Sequence, residues 1–150
     1  MAESLITADD FHRLIDEEAP FAVWLGLRVE AIGHGTATLR MPYNPAHLRP
    51  GGVINGPAIM AVADYCMYAL ALSIDPRGHG AVTTSMTMNF LRKTTGRDLL
   101  AEGRVLKTGR SLAFMETVVY ADGEPEPVAH VTGTYAFPRA AATTARSARD

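Results

Sequence analysis

The sequence is poor in the residues that would cross-link it or direct it to a charged partner. Cys66 is the only cysteine among 150 residues, so no disulfide can form within the chain. The formal net charge is only -2, and the basic residues are scattered rather than gathered into the stripe that nucleic-acid binding requires. No positively charged start leads into an apolar run, so we expect no secretory signal. These features favour a cytoplasmic protein that binds no nucleic acid.

The histidines are too scattered to suggest a metal site. No two of the five lie at metal-ligand spacing: His12, His34, His47, His79 and His130. Cys66 falls in an apolar stretch with no obvious base beside it, so we expect a core thiol rather than a nucleophile. We therefore expect neither a metal nor a redox cofactor.

Alternation and periodicity predict one α+β domain over residues 1–137. Thr7 is a good N-cap for a helix over 8–18, and Pro20 marks a break after it. The second half of the chain alternates polar and apolar residues in four runs, which we expect to pair in chain order as an antiparallel meander. Residues 138–150 show no periodicity and are predicted to be a disordered tail. The predicted strands are 27–32 and 36–41, joined as a hairpin, then 82–91, 98–106, 111–120 and 128–137, with loop over 42–55.

The most informative segment is a long apolar helix in the middle of the chain. Asn55-Gly56-Pro57 is a strong helix-start signal, and from residue 58 to 72 every residue is apolar or aromatic except Asp64. A helix that is apolar all round is buried on all sides. The central Asp, the marginal length and the strands that follow disfavour a membrane span. We expect a central helix wrapped by a curved antiparallel sheet.

Asp64 and Gly56 are the candidate chemical groups of this helix. A carboxylate on an apolar helix is expensive to bury, so Asp64 is either a hydrogen-bonded structural residue or a base or nucleophile held in a cleft. Gly56 lies where free backbone N–H groups and the helix dipole can polarise a carbonyl, although plain turn chemistry also explains a glycine there.

The segment His47-Leu48-Arg49-Pro50-Gly51-Gly52-Val53-Ile54-Asn55-Gly56-Pro57, followed by Asp64, resembles the signature of the phenylacetate-pathway (PaaI-like) branch of hot-dog acyl-CoA thioesterases. The resemblance extends from Phe21 to Phe137 and includes a similar late-strand pattern at 105–113. It implies the hot-dog fold, a homodimer or homotetramer, a catalytic carboxylate matching Asp64 and an oxyanion-polarising glycine matching Gly56. It also implies a hydroxyl that helps to place the attacking water, here Thr83.

The chain departs from the family pattern at the start of the helix. The family commonly has His-Gly-Gly where this chain has Asn55-Gly56-Pro57, and often an Asn where this chain has Arg49. Asn55 can still hydrogen-bond a substrate but cannot titrate near neutral pH. Pro57 removes one N–H from the first turn, so the oxyanion site depends more on Gly56 alone.

Several basic residues could bind the phosphates of coenzyme A. Arg49 would meet a phosphate or solvent, and His47, in the loop before the helix, could line the cleft. The strand-end residues either form a solvated edge or bind the nucleotide end of the substrate. The predicted substrate-binding residues are His47, Arg49, Arg92, Lys107 and Arg110.

These features lead to the hypothesis of an acyl-CoA thioesterase. Asp64 would be general base or nucleophile, and the Gly56 N–H would polarise the thioester carbonyl, with Asn55 and Thr83 beside them. Two other hypotheses are a non-catalytic acyl-CoA-binding protein and a hot-dog hydratase or dehydratase. A hydratase or dehydratase would require a His acting with an acidic residue, and its typical Gly-His-Phe-Pro helix start is missing. The sequence does not specify the identity of the acyl group.

Overall fold

The computed structural model describes residues 2–139, and within that range it contains three α-helices and eight β-strands. Most of the predicted tail, from residue 140 on, lies outside the described residues. The helices are α1 (Ala8–Glu18), α2 (Pro20–Leu25) and α3 (Gly56–Ile74). The strands are β1 (Arg28–Gly33), β2 (Thr36–Met41), β3 (Leu48–Arg49), β4 (Val53–Ile54), β5 (Val82–Phe90), β6 (Leu99–Thr108), β7 (Leu112–Ala121) and β8 (Pro127–Ala136).

The two N-terminal helices begin at the predicted signals. Thr7 and Asp10 form a capping box at the start of α1, and Phe11 and Ile15 bury its apolar face. Pro20 does more than break the chain, because it starts α2 at a position where its missing N–H costs nothing. α2 ends at Gly26, whose φ of 72° favours a residue without a side chain.

The main sheet has the strand order β1-β2-β6-β7-β8-β5, with every neighbouring pair antiparallel. The predicted hairpin β1–β2 is present, and β6, β7 and β8 form a meander. The prediction that all four late strands pair in chain order was wrong, because β5 lies at the far edge against β8. The connection over 91–98 is long enough to cross the sheet, and the edge of β6 that β5 would have used is occupied by β2. The predicted loop at 42–55 also holds the short β3–β4 ladder.

One face of α3 packs closely on the concave side of the sheet. Glycines in two strands make this approach possible. A Cβ on Gly133 would lie 2.6 Å from Met67 Sδ, and one on Gly103 would lie 2.7 Å from Cys66 Sγ. Cys66 is fully buried, and burial raises the pKa of its thiol to about 12.

α3 is long and apolar enough to span a membrane, but two-thirds of it is buried within the fold, as in the core helix of a globular domain.

The opposite face of α3 is not covered by the described residues. Met60 is 44% exposed, and Asp64 is only half-buried. The neighbouring strand β5 is an edge strand with Val82 59% and Phe90 52% exposed. The expectation that α3 is buried on all sides is therefore not met within residues 2–139, because six curved strands reach around only part of the helix.

Candidate active site

The start of α3 leaves one backbone donor free. Asn55 is the N-cap, with extended backbone (φ -72°, ψ 154°), and its Oδ1 accepts the Ala58 N–H at 2.7 Å. Pro57 has no N–H. Within residues 2–139, no acceptor lies within hydrogen-bond distance of the Gly56 N–H. The sequence Asn-Gly-Pro thus concentrates the positive end of the helix dipole on the Gly56 N–H.

This free N–H lies beside a cleft of about 330 Å³ that has an apolar floor and a cationic rim. The ring of Phe90 contributes to the floor, and a Cβ on Gly56 would lie 3.7 Å from that ring, an ordinary contact. The predicted residues Arg49 and Arg92 both line this cleft, together with Lys93, another of the basic strand-end residues. The full lining is Arg49, Val53, Ile54, Gly56, Ile59, Phe90, Leu91, Arg92 and Lys93.

Asp64 is held by two hydroxyl groups that contact the same carboxylate oxygen. Thr83 Oγ1 donates to Asp64 Oδ1 at 2.8 Å, and the Tyr135 hydroxyl lies 2.6 Å from that oxygen. In the described part of the chain, Oδ2 has no hydrogen-bond partner. The carboxylate is thus held through Oδ1, and its Oδ2 is left unpaired among the described residues.

The sheet register explains why these two hydroxyls meet. Thr83 of β5 is directly opposite Tyr135 of β8, so both side chains project from the same place on the concave face. A β-bulge at Thr84 allows this, because it shifts the alternation between Thr83 and the rest of β5. Without the bulge, Thr83 would share a face with Ser85 and point away from α3.

Tyr135 is a residue that sequence reasoning missed. It is only 3% exposed, and burial, together with the negative charge of Asp64, raises the pKa of its hydroxyl well above the usual value. A tyrosine in an alternating strand resembles any other core aromatic, so its contact with Asp64 leaves no signal in the sequence.

The other predicted residues lie away from the cleft. His47 is buried, packs edge-to-face against Trp24 at 5.6 Å, and its carbonyl accepts the Asn55 N–H. Burial lowers the pKa of its ring. Lys107 and Arg110 are exposed near the opposite end of α3, where the Arg110 carbonyl accepts from Arg77. One chain therefore does not bring these residues to Gly56.

The two principal groups also lie apart within one chain. From residue 56 to residue 64, a rise of 1.5 Å per residue separates the backbones by about 12 Å. Asp64 is not part of the cleft lining described for Gly56. Across residues 2–139, no group of three His, Cys, Asp or Glu side chains is placed to hold a metal ion.

Comparison with known proteins shows the family. The family model described as "Thioesterase superfamily" matches residues 51–128. A crystal structure titled as a "putative thioesterase" from a Silicibacter species is 36% identical and covers 91% of this chain and 94% of its own, with a TM-score of 0.80. A mutant of the phenylacetic acid degradation protein PaaI from Thermus thermophilus is 27% identical over 79% of this chain and 99% of its own, with a TM-score of 0.72. A "Putative esterase" of Thermoplasma volcanium is 32% identical over 71% of this chain and 78% of its own.

The chain therefore belongs to the thioesterase superfamily, and its fold is the hot-dog fold expected from the resemblance. Within the superfamily it is similar to the PaaI-like branch. The family defines a hydrolase of the ester or thioester class that acts on a small-molecule substrate.

Proposed function

We propose that this protein hydrolyses acyl-CoA thioesters, with Asp64 as the catalytic carboxylate and the Gly56 N–H as the carbonyl-polarising group. The observation that carries the proposal is the Asp64 carboxylate on the open face of an otherwise apolar helix. Its Oδ1 is held by two hydroxyls, and its Oδ2 is left without a partner among the described residues. The unpaired oxygen is available to take a proton from water or to bond to the thioester carbon.

Two routes are compatible with this geometry. In the general-base route, Asp64 Oδ2 takes a proton from water while the water oxygen bonds to the thioester carbon. The carbonyl electron pair moves onto oxygen, where the Gly56 N–H stabilises the charge. When that electron pair returns to re-form the carbonyl, the C–S bond breaks, and the leaving thiolate takes the proton from Asp64.

In the nucleophilic route, Asp64 Oδ2 bonds to the acyl carbon, the thiolate leaves, and water hydrolyses the resulting anhydride. Rapid quenching and mass spectrometry would detect an acylated protein only in the second route.

The cationic rim of the cleft suggests where coenzyme A lies. Arg49, Arg92 and Lys93 border the same space as Gly56, so a thioester carbonyl at the N–H would place the polar part of the substrate among them. Arg92 forms an exposed ion pair with Glu126 at 3.0 Å, and such a pair is weak enough to exchange for a phosphate.

We further propose that a complete site contains Gly56 of one subunit and Asp64 of another. A reacting carbonyl must lie about 3 Å from the Gly56 N–H and also within reach of a water held by the Asp64 carboxylate. Within one chain the backbones of these two residues are about 12 Å apart along α3, which is too far for both contacts. The uncovered face of α3 and the free edge of β5 are adjacent apolar surfaces that a second copy would cover. A twofold axis between antiparallel α3 helices brings each Gly56 toward the other chain's Asp64.

The direct test is thiol release from a panel of aliphatic and aromatic acyl-CoAs, with the matching oxygen esters measured in parallel. We expect hydrolysis of at least one acyl-CoA, faster than that of its oxygen ester and unchanged by EDTA. Tight binding of acyl-CoAs without thiol release would instead indicate a binding protein.

A further inference from the structure

The two carboxylate oxygens of Asp64 differ in their hydrogen bonds, because both side-chain donors contact Oδ1. The Tyr135 hydroxyl lies 2.6 Å from Asp64 Oδ1 and 2.9 Å from the Asp64 backbone carbonyl. A hydroxyl has one proton, and the shorter contact is to the charged oxygen, where a hydrogen bond is stronger. Thr83 donates to the same Oδ1, so both donors act on one oxygen.

The two donors differ in how firmly they are held. Thr83 is exposed and belongs to β5, the edge strand. Tyr135 is 3% exposed and belongs to β8, which pairs with β7 on one side and β5 on the other. Its neighbours across the ladders are Thr83 and Ala113, so its ring is fixed by the sheet as well as by the core. Tyr135 is therefore the rigid anchor of the carboxylate.

We propose that Tyr135 is a positioning residue for the reaction: its hydroxyl holds Asp64 Oδ1 and so directs Oδ2 to the water or the thioester carbon. This inference rests on the proposed thioesterase function. The raised pKa of the Tyr135 hydroxyl keeps it a donor throughout the physiological pH range. Loss of that donor would leave Asp64 Oδ1 held only by Thr83 on the edge strand, so the carboxylate would be less firmly oriented.

The test is Tyr135→Phe, with Tyr68→Phe as the matched control. Tyr68 lies on α3, the helix that carries Asp64, and its hydroxyl donates to the His79 carbonyl at 2.9 Å rather than to Asp64. We expect Tyr135→Phe to lower kcat by roughly tenfold, as for loss of a hydrogen bond to a charged group. KM should change by less than about twofold, because the substrate does not touch this hydroxyl. Tyr68→Phe should leave both kcat and KM unchanged.

The outcomes separate this inference from the proposed function. An inactive wild-type protein would contradict the thioesterase proposal itself. An active wild type with a Tyr135→Phe variant of unchanged kcat would overturn the positioning role alone, even if the melting temperature fell. Should Tyr135→Phe fail to fold, fluorotyrosine at position 135 preserves the shape and alters only the donor strength of the hydroxyl. It should then change kcat but not KM, and an unchanged kcat would count against the proposal.

Discussion

On the face of α3 that packs against the sheet, Val62, Met67 and Leu70 are fully buried, and glycines in the strands let the helix approach closely. On the opposite face Met60 is exposed, and Asp64 is half-buried among hydroxyl groups. Both faces belong to one helix of almost uniformly apolar sequence. The face packed on the sheet, here called the closed face, stabilises the domain. The opposite face, here called the open face, carries the reactive group and needs a second molecule, substrate or subunit, to cover it.

The largest expected effect comes from the open face. Asp64→Asn keeps the size of the side chain and its acceptor at Oδ1 but removes the base, so we expect kcat/KM to fall by roughly a thousandfold. The free energy of unfolding should not decrease, because removing a half-buried charge relieves desolvation. Thiol release and thermal melting would measure the two effects, with the exposed helical residue Asp16→Asn as control. Wild-type turnover by Asp64→Asn would make Asp64 structural.

The closed face should show the reverse pattern. Leu70→Ala removes a fully buried side chain and should lower the free energy of unfolding by about 3 kcal/mol. Below its melting temperature, the folded variant should keep near wild-type kcat, because Leu70 does not contact Asp64. Chemical denaturation with an activity assay at low temperature tests this. A stable Leu70→Ala variant with greatly reduced kcat would contradict the division between the faces.

Close packing on the sheet can be tested separately at Gly133. Gly133→Ala places a Cβ against Met67 Sδ and close to the Ser85 carbonyl, so we expect destabilisation of about 2 kcal/mol from overpacking. Gly52→Ala is not a suitable control, because its φ of 73° adds backbone strain. Gly56→Ala is better, since a Cβ there meets only the Phe90 ring at 3.7 Å. Equal melting temperatures for the two variants would argue against tight packing at Gly133.

The smallest expected effect is at the rim of the cleft. Arg92→Gln should raise KM for acyl-CoA by roughly threefold to tenfold with little change in kcat, since it weakens binding away from the reacting atoms. Arg13→Gln should have a much smaller effect, because Arg13 is exposed on α1 and does not line the cleft. Initial-rate kinetics at low ionic strength give the comparison, and an equal KM increase for Arg13→Gln would contradict specific binding at Arg92.

The sequence predicts the closed face better than the open one. Helix start signals, strand alternation and the lone Asp64 are local features, so α1, α3 and most strands could be located from them. The edge position of β5 could not, because alternation does not specify which strands pair. Simple alternation also puts Thr83 on the wrong face of β5, since only the bulge at Thr84 turns it toward Asp64. The contact of Tyr135 with Asp64 depends on that register and is equally non-local.

The central claim, a site shared between two chains, is tested most directly by mixing two inactive variants. Gly56→Pro removes the proposed oxyanion donor, and it also adds a ring beside Phe90 and a side chain directly before Pro57, so circular dichroism must first show that α3 is intact. Proline fits the first turn of a helix, and Asn55 already has the extended backbone required before a proline. Gly56→Ala keeps the N–H and should stay active, whereas Gly56→Pro should lose roughly a hundredfold in kcat.

Differently tagged Gly56→Pro and Asp64→Asn subunits would be co-expressed and the mixed dimer isolated. One site then carries both lesions and the other carries neither, so we expect about half of the wild-type activity per dimer. If both residues act within one chain, each site keeps one lesion. A well-folded mixed dimer no more active than its parents would therefore contradict the shared site.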